Sequence, residues 1–368
     1  MKDWFVIDNI DMLDSPAVAV YIDHVRQNID TLVNSIDDVT RLRPHIKTHK
    51  SAEVTGMMLA AGIRKFKCAT IAEAEMLATA GAPDVLLAYQ PVGPKAIRLA
   101  ELVQHFPKTT FACLIDNETS ARQLSDIFIG HHKPLPVFID LNVGMNRTGI
   151  VPEETLVLIQ ACQALTGIDV KGLHAYDGHL RDPDMAVRQQ RCDEVFARVE
   201  KLQRDVLNAT GKNLTVVMGG TPTYSVHSKR KVVECSPGTF IYWDKGYDTI
   251  LQEQHYKFAA LVVTRVISKP THDSICVDLG HKSIASENAL TSRVFFLNAG
   301  ALIPTGHSEE HMVFKVDDDK TYSVGDVLYG VPFHVCPTIA LHDRVAVVDG
   351  HTLSGYWTTL SRNRKITV

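Results

Sequence analysis

The chain has 368 residues, 45% of them hydrophobic and 22% charged, with a formal net charge of −4. That composition fits a soluble globular protein of two domains, and the absence of a basic stripe argues against nucleic acid and anionic membrane as partners. No apolar run is long enough to span a bilayer, residues 1–13 lack the basic-then-apolar order of a signal peptide, and seven scattered cysteines suit a reducing, cytoplasmic setting better than a disulfide framework.

From residue 17 onward, short apolar runs alternate with amphipathic ones. Residues 17–22 (AVAVYI) read as a buried strand and 25–36 as a helix; 41–46 precede the helical pattern of 52–61, and 65–69 precede that of 72–80. The same order repeats with strands at 84–89, 109–115, 135–142 and 169–176, each followed by a helical stretch, and 214–219 closes the series. Short apolar strands without polar alternation are buried on both faces, as in a parallel sheet. Eight of them with intervening helices predict a (β/α)8 barrel over 17–249. No GxGxxG follows the first strand, against a dinucleotide-binding sheet. From about Val232 β-rich runs dominate and predict an all-β domain over 250–368, joined by residues 1–16.

Several chemistry-bearing groups fall at predicted C-terminal strand ends, which one face of a barrel gathers. Lys47 lies in RPHIKTHK (43–50), where Pro44 holds the approach extended. A lysine there can form a Schiff base with a carbonyl cofactor. VGMNRTG (143–149) offers Arg147 in a glycine turn, and HAYDGH (174–179) supplies a phenol, a carboxylate and two imidazoles as acid–base candidates. GGTPT (219–223) combines amides and hydroxyls suited to a phosphate. In the β domain, His334 and Cys336 stand two apart in HVCPT, predicted as a strand with both side chains on one face, a nitrogen–sulfur pair suited to zinc. His307 and His311 are further ligand candidates on a polar loop, and Lys282 is a second, lower-ranked Schiff-base lysine.

Taken together, SPAVAVYID, PHxK, FKCATIAEAEMLATAGAPDVLLAYQPVG, VGMNRTG, GLHAYDGH, GGTPT, ECSPGT and HVCPTIALHD resemble the D-threonine aldolase / D-serine dehydratase family over nearly the whole chain. These are pyridoxal-phosphate enzymes of the alanine racemase fold type. The resemblance implies a Schiff base on Lys47, Arg147 and Tyr176 facing the cofactor, a phosphate held by Gly220 and Thr221, and a divalent metal, zinc or manganese, on His334 and Cys336. It implies a lyase acting on a D-3-hydroxy amino acid, with His179 and Asp182 as candidates for the aldolase base, and a homodimer. Aldolases of the family often carry aspartate where this chain has Cys336, whereas its dehydratases carry cysteine. Retro-aldol cleavage to glycine and an aldehyde therefore stands beside β-elimination to a keto acid and ammonia, with racemisation and a non-catalytic cofactor carrier behind them.

Overall fold

The computed structural model describes residues 2–300, 302–317 and 321–368. Leu32–Lys47, Ala52–Gly238 and Asn363–Val368 form one contact unit; the N-terminal residues through Thr31, with Thr48–Ser51 and Thr239–Arg362, form the other.

The first strand-like run is not a barrel strand. β1 (Ala17–Tyr21) lies antiparallel to Ala260–Thr271 and parallel to Arg344–Asp349, inside the second unit. An all-apolar AVAVY suits any strand covered on both faces, so its composition does not name its sheet.

In the first unit β2 (Lys65–Cys68), β3 (Asp84–Leu87), β4 (Thr110–Ile115), β5 (Leu135–Asp140), β6 (Ile168–His174), β7 (Thr215–Met218) and β8 (Val233–Cys235) pair side by side in chain order, all parallel. Residues 42–45 join the two edges. Leu42 bridges Cys235 and His45 bridges Lys67, with Arg43 N–H donating to Cys235 O at 2.8 Å and Lys67 N–H to Pro44 O at 2.9 Å. Pro44 has no N–H to give, so this stave is a pair of bridges and not a regular strand. The ring thus takes Val233–Cys235, placed by the sequence in a later β-rich run, as its last strand, and GGTPT follows the last but one. Leu86, Ala112, Leu114, Phe138 and Val217 pack as one cluster. Gly172 makes room for Phe138, whose Cε1 lies 2.3 Å from where a Cβ would stand.

Helix starts after the strands are fixed by side chains that satisfy orphan N–H groups. Thr70 caps Ile71–Thr79 by accepting from Glu73 N–H, and Asn117 caps Glu118–Phe128 by accepting from Ser120 N–H. Asp184 caps the long helix Met185–Thr210, which ends on Gly211 in the left-handed region.

The second unit is built on β9 (Ala260–Thr271), which pairs with β1, β10 (Ser274–Val277) and the strand Val327–Pro332. Phe5, Ile7 and Leu13 share its core with Ala19, Tyr21, Leu261 and Val263, and the Tyr21 hydroxyl donates to Phe5 O at 2.5 Å. The HVCPT segment is not a strand. The strand stops at Pro332, His334 is the N-cap of the helix Val335–Leu341, and Cys336 lies in its first turn. Asp244 drives that start, its carboxylate accepting from Val335 N–H at 3.1 Å.

Candidate active site

Lys47 is half-buried in a short 3-10 turn, Ile46–Thr48, directly after the stave at 42–45. Its N–H donates to His45 Nδ1 at 3.3 Å. The turn is the local outcome of a chain that cannot continue a ladder past Pro44, and it sets the lysine at the C-terminal end of the ring's parallel staves.

A second lysine, which the sequence reading missed, stands inside the same ring. Lys67 is 2% exposed, donates to Ser236 Oγ at 2.5 Å and approaches His174 Nε2 at 3.5 Å. Its nitrogen lies 5.5 Å from the centroid of the Tyr176 ring, and the Arg147 guanidinium lies 5.1 Å from it. Behind His174, Nδ1 meets Asp140 Oδ1 at 2.7 Å, and Asp140 also accepts from the Thr148 hydroxyl at 2.8 Å. Burial, with Lys47 nearby, lowers the Lys67 amine to about 7. Burial likewise lowers His174 against the pull of Asp140. Asp140 stays below the usual carboxylate range because the His174 and Thr148 bonds outweigh its burial. The only sequence signal was a lysine in KFKC that shares its face with Lys65 and alternates with the apolar Phe66 and Cys68.

The GGTPT loop is a buried nest. Gly219 has φ +76 and a Cβ there would stand 2.9 Å from His227 Cβ, so only glycine lets this backbone approach the histidine. Gly220 packs against Tyr176, and the Thr221 hydroxyl accepts from Gly238 N–H at 3.1 Å. Beneath the loop, Thr223 donates to Asp177 Oδ1 at 2.8 Å, His227 Nε2 meets Asp177 Oδ2 at 2.8 Å, and Arg230 faces His227 Nδ1 at 3.0 Å. Asp177, Cys192 and His227 form a fully enclosed group with metal-ligand spacing, their candidate atoms all within 4.8 Å of one another. Burial opposes ionisation of Asp177, but His227 and Thr223 hold it below the usual range.

His179 and Asp182 part company. His179 Nδ1 is buried with no hydrogen-bond partner among the described residues, and burial lowers its imidazole. Gly144, at φ +117, leaves it space, since a Cβ there would stand 2.9 Å from Nε2. Asp182 is turned onto Arg191, which donates to both carboxylate oxygens at 2.9 and 2.7 Å.

In the second unit the His334–Cys336 pair is intact despite the helix. The Thr48 hydroxyl lies 3.0 Å from Cys336 Sγ, so the residue next after Lys47 in the chain touches the thiol. His334 Nδ1 meets Glu287 Oε1 at 2.5 Å and its imidazole hydrogen-bonds the Cys336 sulfur. Burial alone would lower His334, but Cys336, Glu287 and Asp244 outweigh it and push it up to about 9. Burial raises Asp244 to about 6. A carboxylate on one imidazole nitrogen fixes the ring's orientation and tautomer, as it does for metal-ligating histidines in general. The other candidates are spoken for. His307 has Arg293 on Nδ1 and Leu279 O on Nε2. His311 is exposed, and Lys282 is exposed and ion-paired to Glu309 and Glu310.

Comparison with known proteins bears on both units. Residues 20–245 match the family model "Alanine racemase, N-terminal domain" and residues 259–348 match "Putative serine dehydratase domain". The chain is 28% identical to the D-threonine aldolase of Arthrobacter sp over 366 residues, 96% of this chain and 94% of that one. It is 27% identical to the 3-hydroxy-D-aspartate aldolase of Paracoccus denitrificans (strain Pd 1222), covering 96% of this chain and 93% of the relative. Among solved structures, the D-threonine aldolase from Filomicrobium marinum superposes with a TM-score of 0.87 at 25% identity, covering 95% of each chain.

Proposed function

We propose that this chain, which belongs to the fold type III pyridoxal-phosphate family of D-threonine aldolases and D-hydroxyaspartate dehydratases, is a metal-assisted lyase that cleaves D-3-hydroxy amino acids to glycine and an aldehyde. The observation that carries this reading is the end-to-end similarity to two aldolases acting on D-3-hydroxy amino acids. The residues present fit the cofactor. Lys47 offers the amine, the buried Gly219–Thr223 loop offers a phosphate cradle in which a Cβ at Gly219 would clash, and Arg147 and Tyr176 supply a cation and a ring surface. Pyridoxal phosphate, when bound, supplies an electron sink for the pair left on Cα.

The chain's own groups divide the remaining work. Gly220 and Thr221 bind the phosphate through amide and hydroxyl donors. His334 and Cys336 would hold a divalent metal, with Glu287 fixing the imidazole; nitrogen and thiolate donors suit zinc and still admit manganese. Such an ion supplies Lewis acidity and a template for a β-hydroxyl. Of the two base candidates, His179 takes the hydroxyl proton, because its imidazole is neutral and unengaged at Nδ1, whereas Asp182 is neutralised by Arg191. Removing that proton turns the C–O bond into a carbonyl as Cα–Cβ breaks, and Cα is then reprotonated to glycine.

Cys336 favours a second reading. A thiol at the metal position accords with the dehydratase side of the resemblance, in which loss of the hydroxyl gives a keto acid and ammonia. The test is product identification after incubating the protein, pyridoxal phosphate and zinc or manganese with D-threonine, D-serine and D-3-hydroxyaspartate. Glycine with an aldehyde is the expected outcome; a keto acid with ammonia would overturn it in favour of elimination.

A further inference from the structure

Lys67 is an expensive residue. A buried ammonium is costly unless paired, yet no carboxylate among the described residues pairs with it. Asp140 stands one step back, behind His174, and Asp177 is taken up by Thr223 and His227. With His174 Nδ1 donating to Asp140, Nε2 turns a lone pair toward Lys67 and leaves the lysine as donor. A methionine would fill the same barrel space without that cost. Something else in the site must accept what this amine has to give.

Ser236 shows where. Its Oγ accepts from Lys67 at 2.5 Å, so the hydroxyl proton points elsewhere. That proton meets no acceptor among the described residues, although Ser236 is 3% exposed. Its N–H bonds Gly219 O at 3.0 Å, which places it beside the glycine nest. Lys67 belongs to β2 and Ser236 follows β8, the two strands that the stave leading into Lys47 bridges. The two donors therefore flank the strand that delivers the Schiff-base amine, with the Tyr176 ring alongside.

We propose that Lys67 and Ser236 form a hydrogen-bond donor pair for an acceptor atom on the ring of the pyridoxal cofactor. The proposal rests on the cofactor reading above. Two ring atoms have the required lone pair, the pyridine nitrogen and the phenolic oxygen, and the phosphate is left to Gly220 and Thr221. A desolvated amine that titrates near neutrality places an adjustable positive charge behind the serine, so the donor strength of the pair follows the protonation of Lys67.

The experiment measures equilibrium affinity of the apo protein for pyridoxal phosphate, for its 1-deaza analogue and for its 3-deoxy analogue. It uses the wild type, Lys67→Met, Lys67→Arg and Ser236→Ala. The wild type is expected to bind one analogue at least tenfold more weakly than pyridoxal phosphate. Lys67→Met and Ser236→Ala are expected to lose that discrimination while keeping any against the other analogue, and Lys67→Arg to retain part of it. The analogue concerned identifies the ring atom. Each ratio is taken within one variant, so a general loss of affinity cancels. If the wild type binds pyridoxal phosphate but Lys67→Met and Ser236→Ala weaken all three ligands equally, or none, the donor pair is wrong and the cofactor reading stands. If the wild type does not bind pyridoxal phosphate, the cofactor reading falls and the pair with it.

Discussion

Two clusters in this molecule bring together imidazole, sulfur and carboxylate, and they use them differently. Asp177, Cys192 and His227 in the barrel unit are fully buried and have metal-ligand spacing. The oxygens and nitrogens there already have partners: Thr223 and His227 occupy both oxygens of Asp177, and Arg230 faces the second nitrogen of His227. Burial and Asp177 push the Cys192 thiol up to about 12, away from the thiolate a metal needs. His334, Cys336 and Glu287 in the β unit are about half exposed at the imidazole and carboxylate. There a carboxylate holds one imidazole nitrogen and the sulfur lies beside the ring. On the reading proposed above, the same residue types make a brace in one place and a metal donor set in the other. Distance between candidate atoms does not separate the two, and neither does hydrogen bonding; exposure does, the first cluster being enclosed and the second open at its imidazole and carboxylate.

The largest effect should come from breaking the brace. Removing one partner of a buried pair strands the other and costs about 3–5 kcal/mol, so Asp177→Asn or His227→Ala should lower unfolding stability by that order in a denaturant titration. The carboxyl of Asp177 is held below its ordinary range. Its contribution is therefore complete above an unfolded-state value of about 3.9 and is lost as pH falls through the lower folded value. Acid unfolding should begin only below about pH 4, and Asp177→Asn should flatten that limb. Next in size, His334→Ala or Cys336→Ala should cut turnover by about a hundredfold or more through loss of the metal's Lewis acidity, with the melting temperature nearly unchanged. Full activity in either variant would reverse the assignment of the two clusters. Smaller again, Glu287→Gln should weaken metal affinity by about tenfold, the usual scale for a group that orients a ligand. Competition with a chelator reads that change directly.

Much of the barrel was legible because its signal is local. Apolar runs at 84–89, 109–115 and 135–142 became Asp84–Leu87, Thr110–Ile115 and Leu135–Asp140, within two residues at each end. The same logic misplaced Ala17–Tyr21, since a strand buried on both faces looks alike in either sheet. It also left Val233–Cys235 in the later β-rich run and not among the barrel strands, three residues being too short to carry a period. Lys47, Arg147, Tyr176, Gly220, Thr221, His334 and Cys336 stood out as motif residues. Their partners did not, because no local pattern links residues that only folding brings together. His227 reaches Asp177 across 50 positions, Glu287 reaches His334 across 47, and Lys67 reaches His174 across 107. HVCPT read as a strand because Val, Cys and Thr suit one, while the helix start depends on Asp244, 91 residues away.

Cys192→Ser is the smallest perturbation and the cleanest discriminator between the two roles. In a brace, Cys192 is packing: its side chain joins Leu180 and Val226 in a small apolar cluster, and its sulfur carries no charge. Exchanging the sulfur for a hydroxyl of similar shape then costs about 1–3 kcal/mol, the scale for an unsatisfied buried polar group. Metal content of the purified protein should stay the same, and so should activity. In a metal centre the outcome separates sharply, because a neutral hydroxyl is a poor substitute for a thiolate and the ion is lost together with whatever stability it confers. Parallel metal analysis of Cys192→Ser and Cys336→Ser therefore decides which cluster holds the ion: loss confined to Cys336→Ser keeps the assignment, and loss confined to Cys192→Ser exchanges the two roles.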